Sequence, residues 1–118
     1  MENFRLVLPA HLKHFGYLFG GHMLLWVDEI SWIAASLDYP GCRFVTIGMD
    51  RVEFRRPVRE GAILRFAVER ASVGRTSVQY TVNVFSDDIA SGREERVFST
   101  HVTFVRLDEE GHKTLLPG

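Results

Sequence analysis

One apolar run, residues 17–37, governs what this chain can fold into. Only Gly20, Gly21, His22, Asp28, Glu29, Ser31 and Ser36 interrupt it. Met23, Trp26, Val27, Ile30, Ile33, Ala34 and Leu37 recur at the three-four spacing of a helical stripe. Leu24, Leu25 and Trp32 fall on the other side of the wheel. A helix that is apolar nearly all round is buried nearly all round, and a 118-residue chain can hardly surround it unaided. The pattern therefore predicts a partner subunit. Pro40 and Gly41 end the helix, because proline disfavours helical geometry in the residue before it and glycine supplies a turn.

Beyond Cys42 the chain reads as strand. Residues 44–47 and 52–54 are β-branched and aromatic, and longer runs follow at 62–71, 76–85 and 96–107. Val78, Tyr80, Val82 and Val84 alternate with Ser77, Gln79, Thr81 and Asn83, the period-two signature of a sheet with one apolar face. Residues 72–75 suit a hairpin and 86–95 a longer polar turn. One helix and five or six strands, with no second helix to cross back, predict an α+β domain in which an antiparallel sheet curls round the helix. A single domain over residues 1–118 is expected, with 108–118 as a loose polar tail.

Lys and Arg together number 14 and Asp and Glu 15, a formal net charge of -1. That balance lacks the footprint of a phosphate-backbone binder, so nucleic acid is not expected as a partner. Cys42 stands alone and can form no internal disulfide, which makes the cytosol the default compartment. No stretch has the length to cross a bilayer, and residues 1–8 lack the pattern of an export signal, so no membrane association is expected.

A carboxylate inside an apolar helix costs free energy unless it is solvated, paired or used. Asp28 shares the side of the wheel with Gly21, Leu24, Leu25 and Trp32. It lies either on a solvated face or at a subunit boundary, where a partly dry setting would tune it for chemistry. Its neighbour Glu29 is expected to pair with an arginine. Gly20 and Gly21 open the helix, where bare backbone N–H donors can be approached by an anion or a developing oxyanion; tight packing alone would also explain them. The spacing is not that of a phosphate loop. His11 and His14 precede the helix, but no Cys or acidic residue completes a metal-binding spacing, and no metal is expected. No G-x-S-x-G elbow is present.

Taken in order, Leu18-Phe19-Gly20-Gly21, Trp26-Val27-Asp28-Glu29, Val45-Thr46-Ile47, the run D-R-V-E-F-R-R-P-V-R-E-G over residues 50–61, Val73-Gly74-Arg75-Thr76-Ser77, Thr103-Phe104-Val105 and the stretch 107–111 resemble the hotdog-fold acyl-CoA thioesterases, in particular the small bacterial acyl-CoA thioester hydrolases. The resemblance covers nearly the whole chain. It implies a long central helix wrapped by an antiparallel sheet, sheets joined edge to edge in a homo-oligomer, and active sites shared between subunits. It implies that Asp28, seven positions after Gly21, acts on the thioester as nucleophile or general base. It also implies that a backbone N–H near Gly20 and Gly21 polarises the carbonyl. A carboxylate and an oxyanion donor suffice for this chemistry because a thiolate leaves readily.

The resemblance breaks at one place. Relatives carry an Asn three residues before the glycine that here is Gly16, and this chain has Lys13, followed by His14. Either His14 or Lys13 takes over part of the role of that Asn, and His14 is the expected substitute polar group. Arg56, Arg59, Arg75 and Thr76 are candidates to hold the phosphates of coenzyme A, which enters as part of the substrate and leaves as product rather than serving as a cofactor. Three other readings compete, the plainest being an assembly protein that uses its sheet and helix only to oligomerise; the remaining two are more specific. One is a hotdog dehydratase, disfavoured because no matching acid–histidine pair is present. The other is a non-catalytic acyl-CoA-binding or regulatory module, which the missing Asn favours.

Overall fold

The computed structural model describes residues 1–13 and 15–118. Strand β1 (Glu2–Leu6) leads through a 3-10 turn (Pro9–His11) to the short strands β2 (Leu12–Lys13) and β3 (Tyr17–Leu18). Helix α1 (Gly20–Asp38) follows, and then β4 (Arg43–Phe54), β5 (Ile63–Val73), β6 (Ser77–Asp87) and β7 (Glu94–Leu107). The five long strands form one antiparallel sheet in the order β1-β5-β6-β7-β4, and β2 pairs with β3 in a separate ladder. This is the expected α+β arrangement, with one helix against a curled sheet.

The core lies between one face of α1 and the concave face of the sheet. Met23, Trp26, Val27, Ile30, Ala34 and Ala35 are buried from the helix, and alternate residues Leu64, Phe66, Val68, Val78, Tyr80, Val82 and Val84 from β5 and β6. Buried Ser31 is tolerated because its hydroxyl donates to the Val27 carbonyl at 2.6 Å. The opposite face of the helix is bare, with Leu25 55% exposed and Trp32 44%, and Leu37, expected on the core stripe, is exposed because it lies in the last turn of the helix. Strand β4 is equally bare, with Val45, Ile47, Val52 and Phe54 exposed, and it forms one edge of the sheet. Register shifts between Thr46 and Gly48 and between Asp50 and Glu53 mark where it bends round the helix.

Three features differ from the sequence reading. The helix begins at Gly20, because Tyr17 and Leu18 extend to pair with Lys13 and Leu12. Strand β1 had no clear sequence signal, since its core-facing Asn3 and Arg5 are polar while Phe4 and Leu6 face outward. Arg5 reaches from that strand to Glu29 at 3.1 Å, giving the helix carboxylate its arginine partner. The segment 108–118, expected to be loose, is tied down. Leu107 bridges Lys113, the Thr114 N–H donates to the Arg106 carbonyl at 3.0 Å, and the Leu116 N–H donates to the Arg75 carbonyl at 2.9 Å.

At the far end of the helix, the buried Tyr80 hydroxyl donates to Asp38 Oδ2 at 2.7 Å. Burial, and then this bond to a carboxylate, push the phenol well above its usual range. The folded state thus holds the phenolic proton more tightly than the unfolded chain, so this contribution to stability is complete below about pH 10 and is lost as pH rises further. Urea denaturation at a series of alkaline pH values is expected to show a steeper loss of stability for the natural protein than for Tyr80→Phe. Equal slopes would contradict the assignment.

Candidate active site

Three contacts lock α1 and β4 together in opposite directions. A Cβ on Gly20 would meet the Phe54 ring at 3.4 Å. Thr46 Oγ1 donates to Asp28 Oδ1 at 2.6 Å, and Trp32 Nε1 donates to the Phe44 carbonyl at 3.1 Å. Asp28 is therefore half-buried on the helix face that looks along the free sheet edge, with one carboxylate oxygen held by Thr46. The sequence reading did not select Thr46 as a site residue, although it stands within the Val45-Thr46-Ile47 stretch. Only the pairing of helix and edge strand brings the two together.

Gly20 and Gly21 form the first turn of α1. The cap position is occupied by Phe19, whose side chain makes no capping bond, and no acidic residue lies in the first turn. The Phe19 carbonyl accepts from the His22 and Met23 N–H groups, whereas the Gly20 and Gly21 N–H groups find no backbone acceptor among the described residues. This end of the helix presents donors and the positive end of the helix dipole. Beside it lies a cavity of about 220 Å³ whose apolar lining is Leu18, Met23, Phe54, Val58 and Val97.

The candidate anion-binding residues split into two groups. Arg56 and Arg59 lie at the Gly20 end: Arg56 also lines the cavity and approaches Glu95 at 3.9 Å, and Arg59 donates to the Tyr17 hydroxyl at 2.9 Å while stacking on its ring. Arg75 and Thr76 lie in the β5–β6 turn, at the opposite end of strands about 30 Å long. Their carbonyls accept from Leu116 and Arg106. Lys13 is exposed at the end of β2, and His14 lies outside the described residues. Asp108, Glu110 and His112 offer ligand atoms within 4.8 Å of one another. Asp108 Oδ1 already accepts the Glu110 and His112 N–H groups at 2.9 Å each, so the cluster is accounted for as a side-chain-capped turn.

The sequence profile of the thioesterase superfamily matches residues 15–92. The chain belongs to the thioesterase superfamily. Among thioesterase relatives, the uncharacterized acyl-CoA thioester hydrolase YkhA of Bacillus subtilis is 29% identical over 113 residues, covering 94% of this chain and 64% of its own length. Acyl-coenzyme A thioesterase 11 of Mus musculus is 30% identical over 101 residues, covering 86% of this chain and 17% of its own length. The chain thus spans less than two thirds of these relatives. Among solved thioesterase structures, an acyl-CoA hydrolase from Staphylococcus aureus, in complex with butyryl coenzyme A, coenzyme A and coenzyme A disulfide, superposes with a TM-score of 0.91 at 30% identity, covering 100% of this chain and 71% of that one. A hexameric hotdog-fold thioesterase of Campylobacter jejuni superposes with a TM-score of 0.88 at 31% identity, covering 98% and 88%. The fold of this superfamily member is the hotdog fold.

The close approach of Phe19 to the first turn explains the second glycine of this thioesterase-superfamily pair. A Cβ on Gly21 would lie 2.8 Å from Phe19 Cε2, so the ring must swing away in Gly21→Ala, whereas Gly20→Ala meets only ordinary contact with Phe54. The Gly21→Ala crystal structure is expected to show Phe19 in a new rotamer, with stability changed by less than about 1 kcal/mol because only the end of a flexible side chain moves. An unmoved ring would contradict this packing.

Proposed function

We propose that this chain hydrolyses acyl-CoA thioesters to a free carboxylic acid and coenzyme A, as a homo-oligomer whose sites combine Asp28 of one copy with the Gly20 and Gly21 turn of another. The observation that carries this reading is the spacing within one copy. From Gly20 to Asp28 the helix advances about 12 Å, too far for a carboxylate and an oxyanion donor to act on the same carbonyl. A second copy resolves the distance. Gly20 meets Phe54 where Asp28 meets Thr46, so a two-fold axis near Leu24 on the helix and Asp50 on the strand exchanges the two ends. The same operation brings the Arg56 and Arg59 end of one copy toward the Arg75 and Thr76 end of the other, a pair of cationic flanks suited to the phosphates of coenzyme A. The bare helix face and the unpaired β4 edge supply the surfaces that such pairing buries.

In this site the thioester carbonyl oxygen accepts from the free N–H groups of the helix start. Thr46 holds Asp28 Oδ1 and leaves Oδ2 for the reaction. Oδ2 either takes a proton from a water that attacks the carbonyl carbon, or attacks that carbon itself to form an anhydride that water then opens. In both routes the carbonyl becomes an oxyanion, the carbon–sulfur bond breaks, and the coenzyme A thiolate leaves and is protonated. The Staphylococcus aureus hydrolase has been solved with an Asp, an Asn and a Thr each replaced by Ala. The Asp and the Thr are the residue types that meet here as Asp28 and Thr46. A cytosolic setting suits this reading, since Cys42 remains free.

Release of free thiol from short, long and aromatic acyl-CoA thioesters tests the reading. The natural protein is expected to turn over at least one class, and Asp28→Asn to lose at least about 10²-fold in kcat with its fold intact. Thr46→Val is expected to lose roughly tenfold, since the carboxylate survives but its orientation is no longer fixed. Tight binding of a hydrolysis-resistant thioester with no thiol release across these substrates would contradict hydrolysis and favour a binding module.

A further inference from the structure

We propose that Lys13 supplies a positive charge to the thioester carbonyl, acting together with the Gly20 and Gly21 N–H groups; this rests on the reading of that turn as the carbonyl-binding element. Lys13 pairs with Tyr17 across the β2–β3 ladder, and its side chain extends to Phe19, the residue that leads into the helix. Its Nζ lies 4.7 Å from the centre of the Phe19 ring. That ring lies so close over the first turn that a Cβ on Gly21 would reach within 2.8 Å of it. The ammonium and the first helical turn therefore both lie against the Phe19 ring. Within one copy no carboxylate neutralises them: the first helical turn contains no acidic residue, and among the described residues Lys13 makes no ion pair.

A cation on an exposed aromatic face is held weakly, so the ammonium is free to exchange the ring for a stronger partner. Its flexible four-carbon stem and three donors let it follow an oxygen that gains charge. The carbonyl oxygen gains that charge as its carbon is attacked and loses it when the electron pair returns and the carbon–sulfur bond breaks. Lys13 keeps its proton throughout. It contributes field and hydrogen bonding and enters no covalent step. Because the charge on the oxygen is greatest in the transition state, the benefit falls on kcat more than on KM. A neutral side chain at this position would offer only a dipole, and hydrogen bonds from a charged donor are roughly twice as strong.

The test uses the full-length oligomer with octanoyl-CoA, or whichever acyl-CoA the natural protein turns over fastest. Lys13→Met keeps the apolar stem against Phe19 and removes the charge, Lys13→Gln is a second neutral variant, and Lys13→Arg keeps the charge. Both neutral variants are expected to lose roughly 10- to 100-fold in kcat with KM changed less than about threefold and an unchanged thermal midpoint, and Lys13→Arg to recover most of the loss. Wild-type kcat in the neutral variants, a loss confined to KM, or an arginine variant as impaired as the methionine one would overturn the proposal. Asp28→Asn is assayed alongside. If it remains active, the reading of the site itself fails. If it is inactive while the neutral Lys13 variants keep full kcat, only the role of Lys13 is refuted.

Discussion

An α-helix advances about 1.5 Å per residue, and that fixed rise separates the two chemical resources of this fold. The carboxylate of Asp28 stands about two turns beyond the amides of Gly20 and Gly21 on one rigid element. The edge strand β4 runs antiparallel to it and is tied at Phe54, Thr46 and Phe44. No side-chain rotation closes such a gap, so under the proposed mechanism the chemistry depends on how two copies meet. A two-fold operation is the simplest that exchanges the ends of both elements at once, and it leaves the same patch on each copy covered by its counterpart.

Packing follows from the same geometry. The sheet covers the helix face carrying Trp26, Val27, Ile30 and Ala34 and stops there, because β4 is its last strand. Leu25 and Trp32 on the helix, and Val45 and Ile47 on the strand, are left as apolar surface that contributes stability when a partner removes it from water. Asp28 sits within that surface, and its bond to Thr46 makes a carboxylate acceptable there. Under the proposed mechanism, burying the interface and building the site are one event.

The elements built from strong periodicity were legible in the sequence. The helix stripe as far as Ala34, the alternation through β6 and the apolar excess on the far helix face reappear in the structure, whereas Leu37, expected on the stripe, is exposed. What was illegible depended on pairing. Strand β1 turns polar side chains toward the core because Arg5 is there to meet Glu29, and a pattern reader sees only a mixed segment. The tail is polar in composition, yet its backbone finds partners at Arg106 and Arg75 that no local signal announces. The wheel alone made Asp28 a candidate, and only the family resemblance gave it a catalytic role. Thr46 could not be selected, since the bond between them spans 18 residues of sequence and exists only once the edge strand is laid against the helix.

The proposed mechanism requires that one site draw on two copies. Asp28→Asn and Gly21→Val, each first shown to release no thiol on its own, are co-expressed and the mixed oligomers assayed for thiol release. Shared sites predict that activity returns to about a quarter of the natural level, because random pairing makes half the pairs mixed and each mixed pair has one intact site. Activity no higher than that of either variant alone, in oligomers shown to contain both chains, would contradict a site built between subunits.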